Sequence, residues 1–320
     1  MKRNEIAKLN SAQAATNRFG IGMLTPTLIV LLVMTAYPLI FTFVYSFTDY
    51  NYLKGTENAS FVLFDNYVSL FKNGYFQQAV WNTIKFTILA VVLEMALGLL
   101  IAVFVNSLKR GQKIMRTLLL LPYLLPAVTV ALSWRMMLSA NYGIINQFLK
   151  GLGLPVFNWF MDTKTAFGTI LLIDVWQNVP FVFLLLYASL QSVSENQYEA
   201  ARIDGASHLK VLFSIVLPLS KAILAVMVLY YGVGVWNGWF WASAILRDRE
   251  MYPLQLVLRE ILLQNSTSNM TGGTSVGDVE SVAATVKYAT IMVATVPILC
   301  IYPFLQKYFA AGVMVGAVKE

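Results

Sequence analysis

The chain has 320 residues, 58% of them hydrophobic and 12% charged, with a mean hydropathy of +0.65. A soluble domain carries about 25% charged residues, and this much apolar surface cannot be hidden in one water-soluble core, which leaves a polytopic membrane protein. The net charge of +7 does not point to nucleic acid, because lysine and arginine sit in short segments between apolar runs, where membrane orientation needs them.

Residues 1–19 form a polar tail with Lys2, Arg3, Lys8 and Arg18. The apolar run after it is too long for a signal peptide and shows no small-residue cleavage site, so it reads as a retained first span at 20–47. A span needs about 20 mainly apolar residues. The fold expected is all-α, with about six transmembrane helices at 20–47, 80–106, 117–138, 166–190, 216–240 and 284–309. Residues 48–79 form an external loop of aromatics and charges, 80–309 a core of five spans, and 310–320 a C-terminal tail. The connection 107–116 carries Lys109, Arg110, Lys113 and Arg116 and no acid. It and the N-terminal tail are expected to be cytoplasmic, which places the loop 191–215 and the C-terminus on the same side.

The remaining loops face outward. Residues 139–165 contain "GLGLPVFNWF", a turn followed by an interfacial aromatic segment. Leucines 254, 256, 258, 262 and 263 after Pro253 predict a short amphipathic helix. The Ser/Thr/Gly-rich 265–278 reads as a linker. Cys300 is the single cysteine, so no internal disulfide is possible.

The stretch 199–219, "EAARIDGASHLKVLFSIVLPL", stands apart as a polar, alanine-rich insertion. Ser194 can cap a helix, with Gln197 in the capping-box place, and Gly205 can end it in a left-handed conformation. Ser207 can start a second short helix, and Leu217-Pro218 opens the fifth span. Ala200 and Ala201 allow close approach of a partner, and Glu199 and Asp204 supply charge to it. A helix lying on the inner leaflet is the rival reading. It fits poorly, because interfacial helices set basic residues opposite bulky apolar ones.

These residues resemble the cytoplasmic EAA loop of binding-protein-dependent ABC importer permeases. The pattern reads Glu199-Ala200-Ala201, Gly205 and Ile215-Val216-Leu217-Pro218, with the fuller sugar-permease form "YEAARIDGA" at 198–206. The resemblance implies ATPase-coupling roles for Tyr198, Glu199, Ala200, Ala201, Asp204, Gly205, Leu217 and Pro218. Residues 81–106, 118–138 and 174–207 are similar to the carbohydrate branch. Up to about His208 the chain is similar to the first of the two permeases such systems encode, and beyond that to the second. A join inside the shared loop would account for both.

No GxxxxGK[ST] loop occurs, so ATP hydrolysis is expected on a separate chain. No catalytic residue, metal site or cofactor is expected. Candidates for the substrate pathway are Glu94, a carboxyl inside the second span; Trp176, Gln177 and Asn178 beside Pro180 in the fourth; and Tyr230, Tyr231, Trp236 and Asn237 in the fifth. A protonated or helix-bonded structural acid is the rival for Glu94, and helix–helix hydrogen bonding is the rival for Gln177 and Asn178. Arg135 reads as a snorkelling anchor. The expected function is the permease subunit of an ATP-driven sugar or oligosaccharide importer in a bacterial inner membrane. Its expected partners are two ABC ATPase subunits, a second homologous permease in preference to a copy of itself, an external solute-binding protein and the bilayer. The alternatives are an ion-coupled secondary transporter and a non-transporting hybrid subunit.

Overall fold

The computed structural model describes residues 18–50, 59–108, 110–191, 203, 205–268, 286–304 and 306. They divide into two compact units, one of residues 1–70 and 268–293 and one of 71–267 and 294–320. Among the described residues the regular structure is helical, and the one extended pairing is an isolated bridge between Thr48 and Phe61.

The first unit is built on α1, Arg18–Tyr45. Pro38 has no N–H to give to the preceding turn, and the helix widens into a π turn at Leu32–Ala36 just before it. Beyond α1 the chain folds back through α2, Asp65–Lys72. The buried Asn66 amide donates to the Ser46 and Thr48 carbonyls at 3.0 and 2.8 Å, and the Ser46 and Tyr67 hydroxyls bond at 2.7 Å. Tyr288 packs its ring among Phe41, Tyr45 and Tyr50.

The second unit begins with α3, Gly74–Ser107, capped by Asn73 Oδ1, which accepts from the Tyr75 and Phe76 amides. Its 34 residues make it about 51 Å long at 1.5 Å per residue. Then come α4, Gln112–Leu124, and α5, Ala127–Met137, which meet at 91°. The bend has a local cause. Leu125 precedes Pro126 and is held extended (ψ 135°), and Pro126 cannot donate to the helix behind it. After α6, Ile144–Gly151, comes α7, Thr163–Gln191, which contains Pro180. Next are α8, His208–Val211, a π turn at Leu212–Val216, a short turn Leu217–Leu219, and α9, Lys221–Trp236. This second π turn also lies just before a proline, Pro218. The unit is completed by α10, Phe240–Ile245, α11, Leu254–Ser268, and the residues from Ala294 onward of α12, Val286–Phe304.

Among the described residues, four helices, α1, α3, α7 and α12, are long and apolar enough to cross a membrane. The expected span at 117–138 is instead the bent pair α4–α5. The expected span at 216–240 is broken at Ser220 and ends at Trp236, and the second span starts at Gly74. The amphipathic helix expected after Pro253 is α11. The expected linker lies mostly outside the described residues.

Helices α3 and α7 hold the second unit together. Val91, Ala102 and Val105 from α3 meet Val182, Phe183, Leu186 and Leu190 from α7 and Met227 from α9 in one buried cluster. Gly98 is the closest point: a β-carbon there would lie 2.5 Å from Val182 Cγ1 and 3.2 Å from the Phe183 backbone nitrogen. A second cluster joins Val130 and Leu138 to Ile170 and Ile173 of α7, Ala242 and Ile245 of α10 and Leu256 of α11. Substituting Gly98→Val should overpack the α3–α7 contact and cost about 1–3 kcal/mol. Thermal unfolding in detergent checks this, and the double variant Gly98→Ala, Val182→Ala should recover stability relative to Gly98→Ala alone.

Candidate functional site: a polar-walled cavity in the helical core

The second unit encloses a cavity of about 1200 Å3. Its walls follow helical spacing. Gln78, Asn82 and Lys85 line it from one face of α3, and Phe167, Ile170, Asp174, Asn178 and Phe181 from one face of α7. Tyr230, Tyr231 and Gly234 line it from α9, and Trp241 from α10. One rim is stitched in place by hydrogen bonds to α3. Asn82 Nδ2 donates to the Glu250 carbonyl at 2.8 Å, and the Leu254 amide donates to Thr83 Oγ1 at 2.8 Å. Arg249 beside this rim forms an ion pair with Glu260 at 2.6 Å, and that hydrogen bond raises the guanidinium pKa above its ordinary value. The Lys85 ammonium sits 4.4 Å from the centre of the Phe167 ring.

At the α3–α7–α9 junction is a polar cluster. Asn178 Nδ2 donates to Asp174 Oδ1 at 3.1 Å, and the Tyr231 hydroxyl donates to the Asn178 carbonyl at 3.2 Å. Glu94, fully buried on α3, lies close enough to the Asp174 carboxyl to interact with it. Both Glu94 oxygens and Asp174 Oδ2 are buried without a hydrogen-bond partner in the chain. Such oxygens are costly to leave unpaired; of the two carboxyls, Asp174 lines the cavity and Glu94 does not.

Three of the expected pathway residues, Asn178, Tyr230 and Tyr231, therefore stand in the cavity wall. Glu94 is not among the lining residues and makes no hydrogen bond to its own helix. The other four are placed elsewhere. Gln177 donates to the Leu125 carbonyl at 3.1 Å and so satisfies an acceptor at the α4–α5 bend. Trp176 packs edge-on against Trp134 and lines a separate, smaller hollow. Trp236 Nε1 donates to the Ala294 carbonyl at 2.8 Å, and Asn237 Oδ1 accepts from Gln255 at 3.2 Å. Arg135, read as a snorkelling anchor, donates to the Ala244 carbonyl at 3.2 Å. In the coupling stretch, Tyr198, Glu199, Ala200, Ala201 and Asp204 lie outside the described residues. Gly205 is left-handed, with φ +71°, as expected of a helix stop. Ser207 Oγ accepts from the Lys210 amide, so it caps α8 as expected. Leu217 and Pro218 form the short turn between the π turn and Ser220.

Sequence reading takes Asp174 only with the polar group beside Pro180 and misses Asn82, Lys85, Phe167 and Phe181. The signal was present as polar and aromatic residues at i, i+4, i+7 along α3 and at i, i+7, i+11, i+14 along α7.

Residues 94–315 match the family described as binding-protein-dependent transport system inner membrane component. The chain belongs to this family. It is 35% identical over 227 residues to the trehalose/maltose transport system permease protein MalF of Thermococcus litoralis, covering 71% of this chain and 75% of that one. It is 36% identical over 179 residues to protein LplC of Bacillus subtilis, covering 55% and 57%, so it spans little more than half the length of that relative. The fold is that of a chain in the crystal structure of a bacterial alginate ABC transporter in complex with an alginate pentasaccharide-bound periplasmic protein. The TM-score is 0.74 at 20% identity, over 92% of this chain and 94% of the other.

The placement of Gln177 is testable in this permease. Gln177→Leu should strand the Leu125 carbonyl and lower stability by about 1–3 kcal/mol. Asn178→Ala takes the donor from the buried Asp174 Oδ1, so it should cost a similar amount of stability and, unlike Gln177→Leu, should lower solute uptake by the folded protein. Thermal unfolding and uptake, measured on both variants, check the division of labour.

Proposed function

We propose that the chain is a transmembrane subunit of an ATP-driven importer for a sugar or oligosaccharide, and that the α3–α7–α9 cavity is its stretch of the translocation path. The observation that carries the reading is continuity. From Ser207 the chain runs through α8, the π turn and the Leu217–Leu219 turn into α9, and α9 presents Tyr230 and Tyr231 to the cavity. A displacement of the EAA stretch thus has a short helical route to the cavity wall, with yielding points at the π turn and at Ser220.

In this mechanism two ABC ATPase subunits, carried on separate chains, dock on the loop 191–215. A second, homologous permease completes the membrane pair, and an external solute-binding protein delivers the solute. ATP-driven closure of the ATPases moves the coupling helices, and the cavity alternates between the two sides. The N- and C-terminal tails then face the cytoplasm of a bacterial cell whose inner membrane holds the chain. Aromatic faces of Phe167, Phe181 and Trp241 suit sugar rings, and Asn82, Asn178 and Asp174 suit their hydroxyls. The solutes named for the relatives, trehalose and maltose, support that class.

The buried carboxyls Glu94 and Asp174 favour one second reading, an ion-coupled transporter. Uptake in cells depleted of ATP, compared with uptake in the presence of an uncoupler, separates the two. Coupling through the EAA stretch has its own test. Gly205→Asp puts a side chain at φ +71° and a charge in the docking surface. Uptake should be lost while membrane insertion persists, and the double variant Glu199→Lys, Gly205→Asp should fail to retain the ATPase on co-purification. Gly205→Asn, which tolerates the left-handed backbone, should keep most activity. Normal uptake by Gly205→Asp would reject the coupling model.

A further inference from the structure

The loop that joins α5 to α7 is rigidly built around one side chain. Asn146 of α6 is buried, donates to the Phe157 carbonyl at 2.9 Å, and accepts from Trp159 Nε1 at 2.9 Å and from the Phe157 amide at 3.4 Å. The loop is thus folded back on α6 and presents the helix in a fixed orientation. At 3.6 residues per turn, α6 has three distinct sides. Ile145, Asn146 and Leu149 share the first; Asn146 is buried, and Ile145 packs against the cluster of α5, α7 and α10. Ile144 and Phe148 share the second and are 66% and 67% exposed. Gln147 and Lys150 share the third and are exposed.

A helix lying on a protein in water needs two kinds of side, one apolar and one polar. A helix at the edge of a bilayer, leaning on protein, needs three, and α6 has them. The second side is not isolated. On α5, Val128, Leu132 and Met136 follow one another at i, i+4 and i+8, and each is more than half exposed. This stripe lies in the bent pair that passes the test for a membrane-crossing element. Farther along the chain Tyr142 is exposed as well, before Ile144 and Phe148. Large apolar side chains exposed in succession next to a candidate span find their natural cover in lipid. The polar side adds a cation, Lys150, in the last turn of α6, a charge complementary to anionic lipid headgroups.

We propose that α6 is an interfacial helix of the permease. Ile144 and Phe148 rest at the acyl-chain boundary, and Gln147 and Lys150 lie in the headgroup layer. The occupant of the apolar side is lipid. The interaction gives this loop a fixed height relative to the bilayer, and with it the start of α7, whose Phe167, Ile170 and Asp174 line the cavity. It rests on membership of the membrane family, not on the identity of the solute.

Cys300 is the only cysteine, so Cys300→Ser gives a background without thiols. Single variants Ile144→Cys, Phe148→Cys and Gln147→Cys would be spin-labelled before assembly and placed in lipid nanodiscs, alone and with the partner subunits. Collision rates with oxygen, which partitions into lipid, and with a water-soluble nickel chelate report the surroundings of each label. At 144 and 148 oxygen should be the stronger relaxer, and at 147 the order should reverse, in both preparations. A nickel-dominated signal at 148 places this side in water and overturns the proposal. Loss of both signals at 148 on assembly means that a protein subunit covers it, and overturns the proposal equally.

Discussion

The close approach of α3 to α7 at Gly98 is the constraint on which the second unit depends. Lipid tails are as apolar as leucine, so two spans gain little by hiding apolar surface from each other, and backbone proximity has to supply the attraction. The missing side chain at Gly98 lets Val182 and Phe183 seat directly on α3. Below this point the interface is filled by Ala102 and Val105 of α3 and Leu186 and Leu190 of α7. On the other side of it the same two helices carry Glu94, Asp174 and Asn178, and the packing gives way to polar groups and open volume. A tight contact and a cavity are thus two parts of one helix pair.

The breaks in the other helices have equally local causes. Non-helical backbone at membrane depth survives only where its polar groups find partners. At the α4–α5 bend the Leu125 carbonyl receives Gln177. At Ser220, where the fifth span is interrupted, the Ser220 carbonyl accepts from the Leu224 amide at 2.9 Å, and the Ser189 and Ser220 hydroxyls bond at 3.1 Å. Both π turns sit just before a proline, Pro38 and Pro218, which removes a donor from the ladder. Polar residues in the fourth span therefore divide into two groups. Gln177 holds a broken backbone, and Asp174 and Asn178, on another face of the same helix, meet the cavity.

That division explains which expectations survived. Family, helical class and the turn at Gly205 were legible, because they are written in local pattern: apolar runs of span length, a spaced EAA motif, a glycine where the backbone is left-handed and a serine where a helix begins. The cavity wall was only half legible. Asn178, Tyr230 and Tyr231 reach the cavity, but Gln177, Trp236 and Asn237 are of the same chemical types and are spent on neighbours. A polar side chain in a span announces that it needs a partner. It does not announce whether that partner is backbone, side chain or solute.

The sequence by itself determined that this protein lives in a bilayer, that its regular structure is helical, and where the left-handed turn at Gly205 falls. Those are properties of hydrophobicity and backbone propensity, which act over a few neighbouring residues. Only the tertiary structure decided that 117–138 turns through 91°, that Asp174 and Lys85 share a cavity, and that Gly98 is where two helices touch. Those depend on the rotation of each helix about its own axis relative to its neighbours. That rotation is set by the fit of side chains far apart in the chain, and no single segment carries it.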